Sequence, residues 1–263
     1  MMLLDVSNLA VTYGGEAASV SHVNLELDKG EILSIVGESG SGKTTVVRAI
    51  LGVLPGNGRV TEGAVFFSNR NILESTNQEW RNIRGKEIAM IFQDSGSMIN
   101  PVRRIGRQFI DYIKRHSSCS EAEAYNKGLN MLELMRLADA KNIMRSYPFE
   151  LSGGMRQRVG IAMAMTFKPK LLLADEPTSA LDVTIQAQIV RQIVDLRNEL
   201  GVAVIIVTHN LGVAAYMSNK IVVMRNGEVV EAGTGEQVIL NPESDYTKEL
   251  LEAVPEIGGK RFV

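Results

Sequence analysis

The chain has 263 residues, of which 45% are hydrophobic and 22% charged, with a formal net charge of −2. Those values match an ordinary globular protein, and the lack of any long Lys or Arg block argues against nucleic acid as a main partner. A single cysteine, Cys119, excludes an internal disulfide framework and a protein-only thiolate metal cage, which fits a reducing compartment such as the cytoplasm.

From the N-terminus, residues 3–11 and 20–27 alternate apolar and polar side chains like half-buried strands, with Gly14-Gly15 as a turn, so an antiparallel sheet is expected first. Met1-Met2-Leu3-Leu4-Asp5 has no basic region and apolar segment of the secretory kind. Residues 32–36, 88–92, 171–174 and 202–207 are short continuous apolar runs, the pattern of strands buried on both faces of an α/β sheet. All fall far short of the roughly 20 residues a membrane-spanning helix needs. Residues 105–116 and 121–137 carry apolar side chains at helical spacing: Ile105, Phe109, Tyr112 and Ile113, then Tyr125, Leu129, Leu132 and Met135. The methionines on these faces read as core packing. Residues 221–224 and 228–231, joined by Arg225-Asn226-Gly227, read as a β-hairpin. A short helix over 246–251 follows Asn241-Pro242, and the last residues are expected to fray.

The run after residue 36 is Gly37-Glu38-Ser39-Gly40-Ser41-Gly42-Lys43-Thr44, followed by Thr45 and an apolar helix. A Gly-rich turn alone is often only a loop, but the full G-x-x-x-x-G-K-[ST] pattern between a buried strand and a helix is a phosphate cradle. Its glycines let successive N–H groups turn toward one anion, and the helix adds the positive end of its dipole. Lys43 is expected to reach the β/γ-phosphates of ATP or GTP, and the Thr44 hydroxyl to ligate Mg²⁺. A second element, 171–174 ending in Asp175-Glu176, places two carboxylates at the C-terminal end of a buried strand. They read either as a solvated strand end or as phosphate-transfer groups. In the second case Asp175 positions Mg²⁺, mainly through water, and Glu176 polarises the water that attacks the γ-phosphate.

Leu151-Ser152-Gly153-Gly154-Met155-Arg156-Gln157, upstream of Asp175-Glu176, resembles the signature motif of ATP-binding cassette (ABC) proteins. By itself Ser-Gly-Gly could be only a helix cap; in this order it marks the family. The resemblance implies an α/β fold with a RecA-like P-loop NTPase core, an N-terminal antiparallel β-subdomain and an inserted α-helical subdomain. The expected ATPase domain covers 1–240, with 1–96 and 161–240 as nucleotide-binding core, 97–160 as the helical insertion, and 241–263 as C-terminal helix and tail. It further implies that Ser152, Gly153, Gly154, Gln157 and Asp182 serve the ATP of a second subunit, homo- or heteromeric, so that two chains sandwich two nucleotides. Tyr13 matches the residue stacking on adenine, Gln93 the contact to Mg²⁺ and the attacking water, Ser179-Ala180-Leu181-Asp182 the loop crossing the dimer, and His209 the switch histidine at the γ-phosphate.

Finer features are similar to the ATP-binding subunits of peptide and nickel uptake transporters: residues 37–42, 84–94, Asn100-Pro101 with Ile105-Gly106, and Asn241-Pro242 leading to Tyr246-Thr247-Lys248. That implies ATP-driven import of peptides, nickel or a metal chelate at the cytoplasmic face of the membrane. The partners would be two transmembrane permease subunits gripped by the helices after Gln93, and an extracytoplasmic solute-binding protein. Three departures stand out. Residues 94–101 lack a proline common after the Gln-Asp pair, Asn210 replaces an acidic residue after His209, and Cys119 alone leaves no iron–sulfur cluster of the kind many oligopeptide members carry, a modest lean toward nickel or metallophore members. The alternatives are a soluble, non-transport ABC ATPase, which usually shows two cassettes, coiled-coil insertions or basic surfaces, and a nucleotide kinase or GTPase. The latter leaves the signature, Gln93 and His209 unexplained and has no Asn-Lys-x-Asp sequence here.

Overall fold

The computed structural model describes residues 1–15, 18–93, 98–179 and 181–253, and the backbone of 256–257 and 260–261. The expectations placed on residues 94–97, Ala180, Pro255, Gly258 and Gly259 lie outside these. In chain order the strands are β1 (Met2–Tyr13), β2 (Val20–Asp28), β3 (Ile32–Val36), β4 (Gly58–Phe67), β5 (Arg70–Asn71), β6 (Ile88–Ile91), β7 (Leu171–Asp175), β8 (Ala203–Thr208), β9 (Lys220–Arg225) and β10 (Glu228–Thr234). The expected fraying tail contains a two-residue antiparallel pair, Glu256–Ile257 with Lys260–Arg261. Two compact units are present: Met1–Asn77 with Gly201–Val263, and Gln78–Leu200.

In the first unit, β1 lies between β2 and β4 in an antiparallel sheet of order β2-β1-β4-β5. Its inward residues Leu4, Val6, Leu9 and Val11 are buried, as the alternation requires. The register slips near the middle of β1, where Asn8 and, on β2, His22 take left-handed backbone angles of 51° and 53°. Side chains satisfy the disrupted ladder: the Asn8 N–H donates to Asn24 Oδ1 at 2.8 Å, and His22 Nδ1 lies 2.7 Å from Asn8 Oδ1. Strand β4 carries no clear strand pattern, because Gly58, Gly63 and its exposed polar residues break the alternation.

The same unit holds β3 between parallel neighbours β8 and β9, with β10 antiparallel to β9. All five residues of β3 are buried, including Ser34, whose Oγ lies 2.5 Å from Ser218 Oγ. Nearby, the Ile32 N–H donates to Asn219 Oδ1 at 2.9 Å and the Asn219 N–H to the Ile32 carbonyl at 2.8 Å. The expected hairpin forms. Asn226 and Gly227 both have positive φ, 50° and 86°, the pair of angles a tight right-twisted hairpin turn requires. Helix Asp245–Glu252 buries Tyr246 and Leu251 against Val36, Leu211 and Val223.

In the second unit β6 and β7 pair in parallel, Ile88 with Leu171 through Ile91 with Ala174. Helix Ile105–His116 has the expected bounds, and it buries Ile105, Phe109 and Ile113. Helix Glu121–Leu134 opens on a reciprocal capping box between Ser120 and Glu123, and it stops three residues before the expected end because Arg136 turns left-handed, with φ 53°. A Cβ at Gly128 would stand 3.0 Å from the Phe109 ring, so the missing side chain lets these two helices approach closely.

At the end of Ile105–His116, Tyr112, His116 and Phe167 meet edge to face, with centroids 5.1 to 5.8 Å apart. The Tyr112 hydroxyl donates to the Gly85 carbonyl at 3.2 Å, and burial pushes its pKa up to about 12. Burial first, then the charges of Lys86 and Arg115, hold His116 below its ordinary value of 6.5. The unfolded chain therefore takes up a proton at a higher pH than the folded one. Stability from this residue is complete above about pH 6.5 and is lost as pH falls toward the lowered folded value. Thermal midpoints measured from about pH 7.5 to about pH 5 should fall more steeply for the natural chain than for His116→Gln.

Candidate functional site

In the first unit, β3 ends at Val36, which pairs with Thr208 of β8 and Val223 of β9. Gly37 comes next, with φ 153°, and a Cβ there would stand 2.1 Å from the Met224 carbonyl oxygen. No side chain fits. Ser39 and Gly40 form the exposed tip, Ser41 is buried, and Gly42 closes the loop at φ 100°. Helix Lys43–Leu51 then begins with no capping side chain from Gly42, the arrangement that lets an anion serve as the cap.

Lys43 is only 4% exposed. Its Nζ donates to the Gly37 carbonyl at 2.7 Å and the Glu38 carbonyl at 2.6 Å, and lies 3.4 Å from Ser41 Oγ. Burying an ammonium group is costly unless such partners surround it. Tyr13 is 37% exposed and its hydroxyl lies 3.3 Å from Thr45 Oγ1, in the first turn of the helix after the loop; Thr44 beside it is half-buried. Because Val36 pairs with Thr208, the exposed His209 leaves the sheet on the strand end adjoining Gly37. Asn210 is spent locally. Its N–H donates to Thr208 Oγ1 at 3.0 Å, and its Oδ1 accepts from Val213 N–H at 3.2 Å, capping helix Leu211–Met217. An aspartate could cap that helix equally well, so the departure at 210 leaves this backbone feature intact.

In the second unit, Ala174 pairs with Ile91, so the residues just beyond, Glu176 and Gln93, leave neighbouring strand ends. The Gln93 amide donates to Glu176 Oε2 at 3.4 Å. Asp175 is 2% exposed, whereas Glu176 is half-buried and sits at a left-handed φ of 43°. The following turn is tied down at several points. Ser179 Oγ donates to the Glu176 carbonyl at 3.2 Å, and Gln186 Nε2 donates to the Thr178 and Leu181 carbonyls at 3.0 Å each. Asp182 Oδ1 accepts from Ile185 N–H at 3.0 Å, at the start of helix Val183–Leu200.

Ser152 caps helix Gly153–Met165, its Oγ accepting from Met155 N–H at 3.3 Å. Ser152 and Gly153 are exposed, and a Cβ at Gly154 would meet Ile185 Cγ2 at 3.0 Å. Gln157 is buried, and its amide donates to the Pro177 carbonyl at 2.7 Å. This residue fastens the signature helix to the turn after Glu176, a use that its place in the motif does not disclose. Tyr246, which no site motif marks, also reaches the loop: its hydroxyl accepts from Glu38 N–H at 3.0 Å.

The first unit thus supplies a buried cation and a glycine loop suited to phosphate. The second supplies a carboxylate beside an amide, suited to orienting and deprotonating water. The oxygen donors of Thr44, Gln93 and Asp175 are hard ligands of the kind that suits Mg²⁺.

Comparisons with known proteins give the following likenesses. Residues 20–179 match the family model described as "ABC transporter". The chain is 45% identical to a Sinorhizobium fredii protein named "Probable peptide ABC transporter ATP-binding protein", over 97% of this chain and 77% of that one. It is 43% identical to the oligopeptide transport ATP-binding protein OppD of Bacillus subtilis, over 96% and 72%. Among solved structures, it is similar to the dimeric ATP-binding cassette MJ0796 in a post-hydrolysis state bound to ADP and Pi. That likeness has a TM-score of 0.76 and 30% identity, covering 88% of this chain and 98% of that one.

The contact at Gly37 makes a direct prediction. Gly37→Ala should lower the unfolding free energy in urea by about 2 kcal/mol or more, because the added carbon meets backbone that cannot rotate away. Ser39→Ala, at the exposed loop tip, should change it by less than about 0.5 kcal/mol.

Proposed function

The chain belongs to the ABC transporter family, and from that premise we propose that it is the ATP-hydrolysing subunit of an importer for peptides. The observation that carries this reading is identity above two-fifths, over nearly the whole chain, with proteins named for peptide and oligopeptide transport. Those names favour peptides over nickel or a metal chelate, and they favour transport over a soluble role in repair or translation.

In this reading the loop Gly37, Ser39, Gly40, Ser41, Gly42 and Thr45 cradles the phosphates, and Lys43 neutralises charge on the β/γ oxygens. Tyr13 stacks on adenine. Thr44, Gln93 and, through water, Asp175 would hold Mg²⁺, whose charge would offset that of the phosphates. Gln93 and Glu176 orient a water molecule. The Glu176 carboxylate takes its proton as the oxygen attacks the γ-phosphorus, the bond to the β-phosphate oxygen breaks, and ADP and phosphate leave. The contact between Gln93 and Glu176 supports pairing them in that step. His209 steadies the γ-phosphate oxygens, which become more negative as the leaving bond stretches.

The exposed Ser152, Gly153 and Asp182, with Gly154, face the ATP of a second ATP-binding subunit, identical or related, so closure of the pair depends on ATP, while the buried Gln157, bonded to the Pro177 carbonyl, braces the motif from within its own chain. Two transmembrane permease subunits and an extracytoplasmic solute-binding protein complete the importer. Among the described residues no helix is long and apolar enough to cross a membrane. The relatives' names as transport ATP-binding proteins support a place for this subunit at the cytoplasmic face, docked on the permeases. The helical segment 97–160 is the part that engages them.

Glu176→Gln should bind ATP with near-natural affinity yet hydrolyse it at least about 100-fold more slowly, since an amide cannot accept the proton. Size-exclusion chromatography with ATP should then show a trapped dimer, and full turnover would remove Glu176 from the mechanism. In a mixture, Ser152→Arg chains and Lys43→Ala chains should regain hydrolysis at one composite site. If the natural partner is a related chain, the variants are divided between the two. No recovery in verified mixed dimers would count against shared sites.

A further inference from the structure

We infer that Tyr246 is a positioning residue for the phosphate loop, its hydroxyl fixing the Gly37–Glu38 peptide and so setting where Lys43 rests and which N–H groups face a nucleotide. The inference rests on the ATP-binding reading above and adds to it a residue far outside the loop.

The argument starts from one peptide plane. The carbonyl of Gly37 accepts from Lys43 Nζ at 2.7 Å, while the N–H of Glu38, the other end of the same planar unit, donates to the Tyr246 hydroxyl at 3.0 Å. The two groups point in opposite directions, so the plane is held from both sides. Without the second bond, rotation about a glycine is cheap. A flipped peptide would withdraw a carbonyl from Lys43 and turn it toward the space a phosphate must enter, where an oxygen dipole is repulsive. The same hydroxyl takes Glu38 N–H out of the set available to a nucleotide.

Tyr246 is itself held firmly. It is 4% exposed, packs with Val36, Val223 and Leu251, and carries the Arg225 guanidinium 4.6 Å from its ring centroid. Arg225 ends β9, where the Met224 carbonyl backs Gly37, and the turn that follows donates the Gly227 N–H to the Ser41 carbonyl at 3.1 Å. Residues 224–246 therefore hold the loop at Gly37, Glu38 and Ser41. They lie beyond the segment 20–179 matched by the family model.

Tyr246→Phe in the full chain tests this, because it removes the hydroxyl and keeps the ring. Titration with a fluorescent ATP analogue should show a Kd raised about fivefold to tenfold, the weight of one buried hydrogen bond. The Glu38 amide should exchange its hydrogen faster, and the thermal midpoint should stay near that of the natural chain. Tyr246→Leu, which also loses the ring, should lose stability as well. An affinity within twofold of natural, with unchanged Glu38 exchange, would overturn the inference. So would lowered stability in Tyr246→Phe with unaltered affinity of the folded protein, which would mark a packing residue. Lys43→Ala serves as the reference: if it binds ATP normally, the loop's assignment as the nucleotide site fails, while the Glu38 exchange rate still decides what Tyr246 does to the loop.

Discussion

A lysine ammonium enclosed by backbone carbonyl oxygens is the constraint around which the first unit is arranged. Lys43 gives up most of its hydration, and the Gly37 and Glu38 carbonyls must replace it. Those carbonyls converge only if the chain doubles back within six residues, which requires angles at Gly37, Gly40 and Gly42 that side chains disfavour. The doubled-back loop in turn needs support from outside itself. The hairpin turn at Asn226-Gly227 and the helix carrying Tyr246 provide it, both of them distant in sequence from Gly37.

The second unit solves a different problem, the aiming of a carboxylate. Parallel pairing of β6 with β7 brings two strand ends level, so two residues past the last pair, Ile91 with Ala174, Gln93 meets Glu176. The left-handed backbone at Glu176 turns the chain away, and hydrogen bonds from Gln157, Ser179 and Gln186 secure the turn. The strain of that angle is thus surrounded by bonds that hold it, as is usual where a side chain must be directed rather than merely buried.

Features set by short-range pattern were legible in the sequence. The loop at 37–44 is a contiguous motif, helix Ile105–His116 has an unbroken apolar stripe, and Asn226-Gly227 names its own turn. Strand β4 was not legible, because its glycines and exposed polar residues hide the alternation and its place beside β1 depends on partners as distant in sequence as Leu4 is from Phe67. Side chains that act on distant backbone were hidden for the same reason. Nothing near Tyr246 signals a bond to residue 38, and nothing in the signature motif signals that the Gln157 amide is committed to the Pro177 carbonyl.

The hydroxyl pair of the buried Ser34 and the half-buried Ser218 has a consequence for where the loop sits. A parallel strand made only of Ile, Leu and Val could slide by two residues and still present apolar side chains to both faces, moving its end by about 6.6 Å. Such a slip of β3 would strand the Ser34 hydroxyl in hydrocarbon, at a cost of about 1–3 kcal/mol, and would break the exchange of hydrogen bonds between Ile32 and Asn219. One small polar residue in the middle of the strand therefore works as an indexing notch: it fixes the axial position at which Gly37 emerges.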